Sequence, residues 1–229
     1  MAVVMPIYNE EECIQEVVQS WLATLSGLEI SFKIIALNDG SKDATLKKLG
    51  LFSGDKRVDV INKQNSGHGP TILKGYALAC PSAQWVFQCD SDNEMSPDYF
   101  QHLWRQRNGY DACMGVRTGR HSTFSRRIIT LTSQIMTKLF FGDAVTDVNV
   151  PYRLIKSEIL SQIIAKIPED TFAPNVIISG ALSKMRSSIL QHPVPFQKRK
   201  TGNVSIISYK LWLSAAKSFI QTLNAVRKF

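Results

Sequence analysis

The stretch Gln88-Cys89-Asp90-Ser91-Asp92-Asn93-Glu94 places three carboxylates within five residues, directly after the apolar run Ala83–Phe87. Like charges this close repel unless something positive sits among them: a divalent cation, a basic side chain, or solvent at a loop tip. Alternate residues leaving a strand point to opposite faces, but a turn after Asp90 swings both aspartates onto one cation. Oxygen donors without His or Cys favour Mg²⁺ or Mn²⁺, usually shared with substrate phosphates, and disfavour zinc. Asp90, Asp92 and Glu94 are therefore the candidate metal ligands.

Two other uses of such a segment are excluded by context. A haloacid-dehalogenase-like phosphatase carries its Asp-x-Asp after the first strand, whereas this one follows the fourth apolar run. A P-loop needs GxxxxGK[ST], and the glycine-rich stretch "GHGPTILKG" does not supply it.

The elements that must position these residues alternate in the first half of the chain. Runs at 2–7, 32–37, 58–62 and 84–89 read as strands, with helical patterns at 10–25, from about Asp43, and at 69–80. In the first helix Ile14, Val17, Val18, Trp21, Leu22 and Leu25 share one face. This alternation predicts a parallel sheet with helices on both faces. The second half is less regular, with strands at 110–116, 150–155 and 189–196, a helix running through Phe141, and helices near 156–165 and 174–186.

In open α/β sheets ligands bind beyond the carboxyl ends of the strands. The first strand runs into Pro6, Tyr8, Asn9 and Glu10, the second into Asn38-Asp39-Gly40-Ser41, and the third into Gln64-Asn65-Ser66-Gly67-His68-Gly69. Each alone is ordinary turn chemistry. Their shared placement with Asp90 and Asp92 on one sheet edge points to a ligand site.

The chain has 229 residues, 44% of them hydrophobic, which is enough for a core without disulfides or structural metal. Its four cysteines are scattered without ligand spacing and read as reduced thiols, at least two of them in the core. The N-terminal apolar run is short and lacks a basic flank, so no signal peptide is expected. No stretch of 18 apolar residues predicts a membrane span.

Of 27 basic and 19 acidic residues, nine basic and no acidic ones lie at 171–229, so residues 1–170 are almost neutral. Such a skew suits an acidic partner: phosphate, nucleic acid or an anionic membrane face. Tyr209, Trp212, Leu213, Ala216, Phe219, Ile220, Leu223 and Val226 follow helical spacing, with lysines beside the stripe. That helix suits a bilayer interface, its own domain or a dimer partner alike.

The ordered segments "VVMPIYNEEE", "ALNDGSKDAT", "NSGHGPTILKGYALA" and "WVFQCDSDNEMSP" resemble the family 2 inverting glycosyltransferases. Their fold is GT-A, a Rossmann-like mixed α/β sheet flanked by helices. The likeness is nearest to the dolichyl- or polyprenyl-phosphate mannose synthase-like group. There "SRR" (125–127) parallels an arginine-bearing segment, and "DVNVPYRLIKSEIL" parallels a D-x-x-x-G-F-R stretch. Asn149-Val150-Pro151-Tyr152 departs from the usual Thr-Ser-Gly-Phe, Asn38 stands in place of an aspartate, and Glu94 replaces a more usual Gln.

The resemblance implies that Pro6, Tyr8 and Glu10 hold base and ribose, that Asp39 reads the base edge, and that Gly67, Asp90 and Ser91 also contact the nucleotide-sugar. It implies that Asp90, Asp92 and Glu94 hold Mg²⁺ or Mn²⁺ on the diphosphate. Arg117 and Arg153 become catalytic phosphate clamps, and Arg126, Arg127 and Arg199 bind donor or acceptor phosphates. Asp147 is the candidate base for a hydroxyl acceptor, and an ionised lipid phosphate needs none.

The expected protein spans a GT-A domain at 1–205, with a nucleotide-sugar half to 120 and an acceptor half after it, and a basic helix at 206–229. It works in the cytoplasm, peripherally on the membrane face, with a UDP- or GDP-sugar donor, a lipid-phosphate or glycan acceptor, and no nucleic acid. Two rivals remain. A sugar-phosphate nucleotidylyltransferase usually carries a G-x-G-T-R-L-type loop where this chain has "PIYNEEE". A non-catalytic nucleic-acid binder would use the basic tail, and the acidic sheet edge argues against it.

Overall fold

A computed structural model describes residues 1–119, 145–197, 220–222, 224–225 and 228–229. The helix expected through Phe141, the clamps Arg126, Arg127 and Arg199, and most of the C-terminal helix lie outside the described residues.

Among the described residues seven strands form one mixed sheet in the order β3-β2-β1-β4-β6-β5-β7. They are β1 (Ala2–Ile7), β2 (Lys33–Asp39), β3 (Val58–Lys63), β4 (Trp85–Cys89), β5 (Ala112–Thr118), β6 (Tyr152–Lys156) and β7 (Ile189–Pro195). Among the described residues the principal α-helices are α1 (Ile14–Ser26), α2 (Thr45–Leu49), α3 (His68–Ala79), α4 (Phe100–Gln106), α5 (Ser157–Ile164) and α6 (Pro174–Lys184).

The first four strands run parallel. β1 is buried along its whole length and β2 beyond its first residue, because helices cover both faces. Such strands read as unbroken apolar runs rather than alternating ones. β6 enters antiparallel between β4 and β5, and β7 runs parallel to β5 at the edge.

Helix α1 begins at Ile14, later than the pattern from Glu10 suggests. Residues 11–13 form a turn instead. Asn9 takes a left-handed φ of 54° and breaks the path from β1. The main chain at Glu10 and Glu11 then bonds across to Thr45 and Asp43. All six residues expected on the inner face of α1 are buried.

Helix α3 lies so close to β1 that a Cβ on Gly75 would stand 2.3 Å from Val4 Cγ1. Trp21, Phe87, Phe100 and Tyr152 form an aromatic cluster joining α1, β4, α4 and β6. Its ring centroids lie 5.1 Å apart for Trp21–Phe87, 4.7 Å for Phe87–Phe100 and 4.9 Å for Phe87–Tyr152. Each such pair adds about 1 kcal/mol beyond area burial. The cluster fixes β4, and with it Asp90, against both halves of the sheet.

The four cysteines are free, with Cys89 and Cys113 buried. Among the described residues no helix is long and apolar enough to cross a membrane. Ile220, expected on the apolar stripe of the C-terminal helix, is 58% exposed, while Thr222 and Ala225 are buried against the domain.

Candidate active site

The strand order turns back on itself between β1 and β4, and their pairing stops at Val4 and Gln88. Beyond that point the two strands separate, which opens the crevice where open α/β sheets receive ligands. Pro6 sits past the last β1–β4 pair, so its missing N–H deprives β4 of nothing. Its side chain is buried, while Tyr8 and Glu10 are half-buried on the loop that follows.

The loops after β1 and β2 are knitted together. Asn9 N–H donates to Ser41 Oγ at 2.9 Å, and Lys42 N–H donates to Asn9 Oδ1 at 2.9 Å. Glu10 N–H donates to Thr45 Oγ1 at 2.8 Å, and Glu11 Oε2 accepts from Ala44 N–H at 2.8 Å. Cys13 Sγ contacts Glu10 Oε2 at 3.4 Å and Ser91 O at 3.5 Å, tying the first loop to the one after β4. Cys13 carried no motif in the sequence, and only the fold reveals this contact.

The β2–β3 register sets Asp39 beside Lys63. Lys63 pairs with Asp39 Oδ1, and Lys63 Nζ also donates to Ser66 Oγ and Thr71 Oγ1. Asp39 Oδ1 accepts from Ser66 N–H and Oδ2 from Gly67 N–H, both at 2.9 Å. Asp39 therefore shapes the glycine loop, and its buried carboxylate has both oxygens engaged in doing so. Gly67, with φ of +96°, caps α3 in a conformation that favours glycine. His68, next in the chain, brings Nε2 to 3.6 Å from Asp90 Oδ1.

Asp90, Asp92 and Glu94 line one small cavity together with Cys89, Met95, Arg117, Pro151 and Phe196. Asp90 Oδ1 is shielded from solvent and has no hydrogen-bond partner among the described residues. Burial pushes Asp90 up to about 6. His68 pulls against that shift, Asp92 adds to it, and Arg117 also opposes it. Asp92 Oδ1 is turned toward its own loop, accepting from Glu94 N–H at 3.1 Å. Ser91 is buried beneath them. The three carboxylates share the cavity, yet among the described residues no three His, Cys, Asp or Glu side chains close on a common point. Burial and the Asp90 and Asp92 charges raise Cys89 well above its ordinary value, so its thiol is no nucleophile.

Opposite the carboxylates stands Arg117, near the end of β5. Its Nε and Nη2 grip Asp147 Oδ2 and Oδ1 at 2.7 and 2.8 Å, an ion pair largely shielded from water. Burial disfavours the Arg117 charge, but the Asp147 fork and the nearby Asp90 and Glu94 outweigh it and raise its pKa. Asp147, expected as a base, has both oxygens engaged by this guanidinium, which makes it a weak proton acceptor.

Arg153, expected as a phosphate clamp, is fully buried. It donates to Val150 O at 2.9 and 2.8 Å, to Asn175 O at 3.1 Å and to Val148 O at 3.3 Å. Its register opposite Gln88 turns it into the protein, where it fastens the segment carrying Asp147 to the start of α6. His68, named in the sequence among the loop residues at the sheet edge, does reach the site, and Pro151, Phe196 and Lys63 join it without having been among its expected residues.

A parallel sheet with one inserted antiparallel strand, and acidic and guanidinium groups at its switch point, defines the GT-A class of α/β fold. Sequence comparison agrees: the profile of Glycosyl transferase family 2 matches residues 2–164, and the chain belongs to that family.

Among curated relatives, an uncharacterized glycosyltransferase of Synechocystis sp. is 28% identical over 75% of this chain and 54% of its own length. The undecaprenyl-phosphate 4-deoxy-4-formamido-L-arabinose transferase of Pseudomonas fluorescens SBW25 is 26% identical over 84% of this chain and 56% of its own. The chain thus spans little more than half the length of these relatives. Glucosyl-3-phosphoglycerate synthase from Mycobacterium tuberculosis, solved with Mn²⁺, UDP-glucose and glycerol 3-phosphate, superposes with a TM-score of 0.71 at 17% identity. That match covers 98% of this chain and 79% of the synthase.

Proposed function

We propose that the protein is a metal-dependent inverting glycosyltransferase that moves a hexose from a UDP- or GDP-sugar to a lipid-phosphate or cell-surface glycan acceptor. Its place is the cytoplasm, in peripheral contact with the membrane face. The observation that carries this reading is the shielded Asp90 oxygen at the β1/β4 switch point, which has no hydrogen bond among the described residues, is approached by His68 Nε2 at 3.6 Å, and lines one cavity with Arg117. A carboxylate kept there at a cost in stability fits a cation-binding role better than a structural one.

Hard oxygen donors at Asp90 and Asp92, with Glu94 beside them, suit Mg²⁺ or Mn²⁺. Bound there, the ion would neutralise charge on the departing nucleoside diphosphate. The remaining work falls to the protein's own side chains. Arg117, oriented by the Asp147 fork, presents a fixed positive charge to the same cavity and stabilises the developing anion. Tyr8 and Glu10 would take base and ribose, and Asp39 holds the glycine loop in shape through the Gly67 N–H. Asp147 is engaged by Arg117, which favours a lipid-phosphate acceptor, already ionised and needing no base. The printed activities of the undecaprenyl-phosphate relatives support the same acceptor class.

Calorimetry with Mn²⁺ and UDP or GDP tests the reading. Binding of one nucleotide that disappears in the Asp90→Asn, Asp92→Asn double variant is the expected result. Absence of binding across UDP- and GDP-sugars would overturn it.

A further inference from the structure

We propose that Gln221, in the C-terminal helix, is a positioning residue for the site, holding the loop at 170–173 against the first turn of α3. The inference rests on the reading of Asp90 as part of the donor site.

The chain of contacts runs through backbone. Gln221 Oε1 accepts from Phe172 N–H at 2.8 Å, and Gln221 Nε2 donates to Asp170 O at 3.3 Å. One carboxamide thus satisfies an amide and a carbonyl of the same loop, as a neighbouring strand would. The other side of that loop rests on Gly69. A Cβ there would lie 2.2 Å from Thr171 O and 2.3 Å from Phe172 O, distances no side chain tolerates. Thr171 is fully buried at this junction. Gly69 follows His68, whose Nε2 faces Asp90 Oδ1, the shielded oxygen of the cavity.

The start of α3 is therefore held from two sides. On the sheet side Asp39 takes the Ser66 and Gly67 N–H groups. On the outer side the loop is pressed in place by a side chain 49 positions further along. Neighbouring residues show which face of the C-terminal helix is engaged. Thr222 and Ala225 are buried, Lys228 Nζ donates to Lys166 O at 3.1 Å, and Ile220 points to solvent. Release of this segment would free the loop, relax the first turn of α3, and move His68 and the glycine loop away from the crevice.

The test compares the full chain with Gln221→Ala and with Ile220→Ser, a change on the solvent side of the same turn. Amide exchange at residues 67–71 and 170–173 is expected to rise about tenfold or more in Gln221→Ala, with β1–β4 unchanged. Affinity for the bound nucleotide with Mn²⁺ is expected to fall about three- to tenfold, because the donor loop is no longer preorganised. Ile220→Ser should match the wild type in both.

Unchanged exchange at 67–71, a uniform rise that includes β1–β4, or unchanged affinity in a protein that binds nucleotide would each overturn the proposal. If the wild type binds no nucleotide, the donor-site reading fails, and the exchange comparison alone decides the role of Gln221.

Discussion

Replacing Asp90 by Asn separates stability from function. Burial lifts this carboxyl to about 6, against about 3.9 in an unfolded chain. The folded protein therefore holds a proton that the unfolded chain releases between those values. This contribution to stability is complete below about pH 4 and is lost as pH rises through about 6. Two pKa units correspond to roughly 3 kcal/mol as a ceiling. Asp90 keeps 27% of its side chain exposed, so solvent screening brings the expected figure to about 1–3 kcal/mol.

Asparagine is uncharged at every pH and escapes the penalty. In chelator-treated protein at pH 8, Asp90→Asn should melt about 2–12 °C above the wild type, at about 2–4 °C per kcal/mol for a chain this size. The gap should close toward pH 4. With Mn²⁺ and nucleotide at about a thousand times Kd the order should reverse, because only the wild type gains about 4.1 kcal/mol from ligand. A variant less stable than wild type at pH 8, or a gap that ignores pH, would refute the claim that this carboxylate is held against its own preference.

Other expectations concern the groups around it. Arg117→Lys keeps the charge but loses the two-pronged grip on Asp147, and should lower kcat in a donor-turnover assay by about 10- to 100-fold. Arg153→Met strips the carbonyls of Val148, Val150 and Asn175 of a buried donor. Urea unfolding should show a loss of about 2–4 kcal/mol for that variant. Gly75→Ala must push α3 off Val4, costing about 1–3 kcal/mol in the same assay.

β1 and β2 were legible because buried parallel strands carry unbroken apolar runs, whereas β3, at the sheet edge, showed as a short run that alternates buried Val58 with exposed Asp59. The inner face of α1 was equally plain, since its six apolar residues follow the helical period without interruption. What sequence could not show is lateral. Asp39 meets Lys63 only through the β2–β3 register, and Cys13 meets Ser91 only once two loops converge. Arg153 looks like a ligand group in a motif, yet its direction depends on β6 running antiparallel beside β4. A side chain's facing is set by its pairing partner, and that partner lies more than sixty positions away.

The Trp21–Phe87–Phe100–Tyr152 cluster bears on how finely this protein can be divided. A fragment stopping after α4 would retain Tyr8, Asp39, Asp90 and Asp92, but it would lose Tyr152 and the strand that covers β4. Phe87 would lose a ring partner, and β4 would become an open edge inviting intermolecular pairing. The residues expected to grip the nucleotide are thus unable to stand without those expected to face the acceptor, and the two halves must be inherited, expressed and unfolded as one piece.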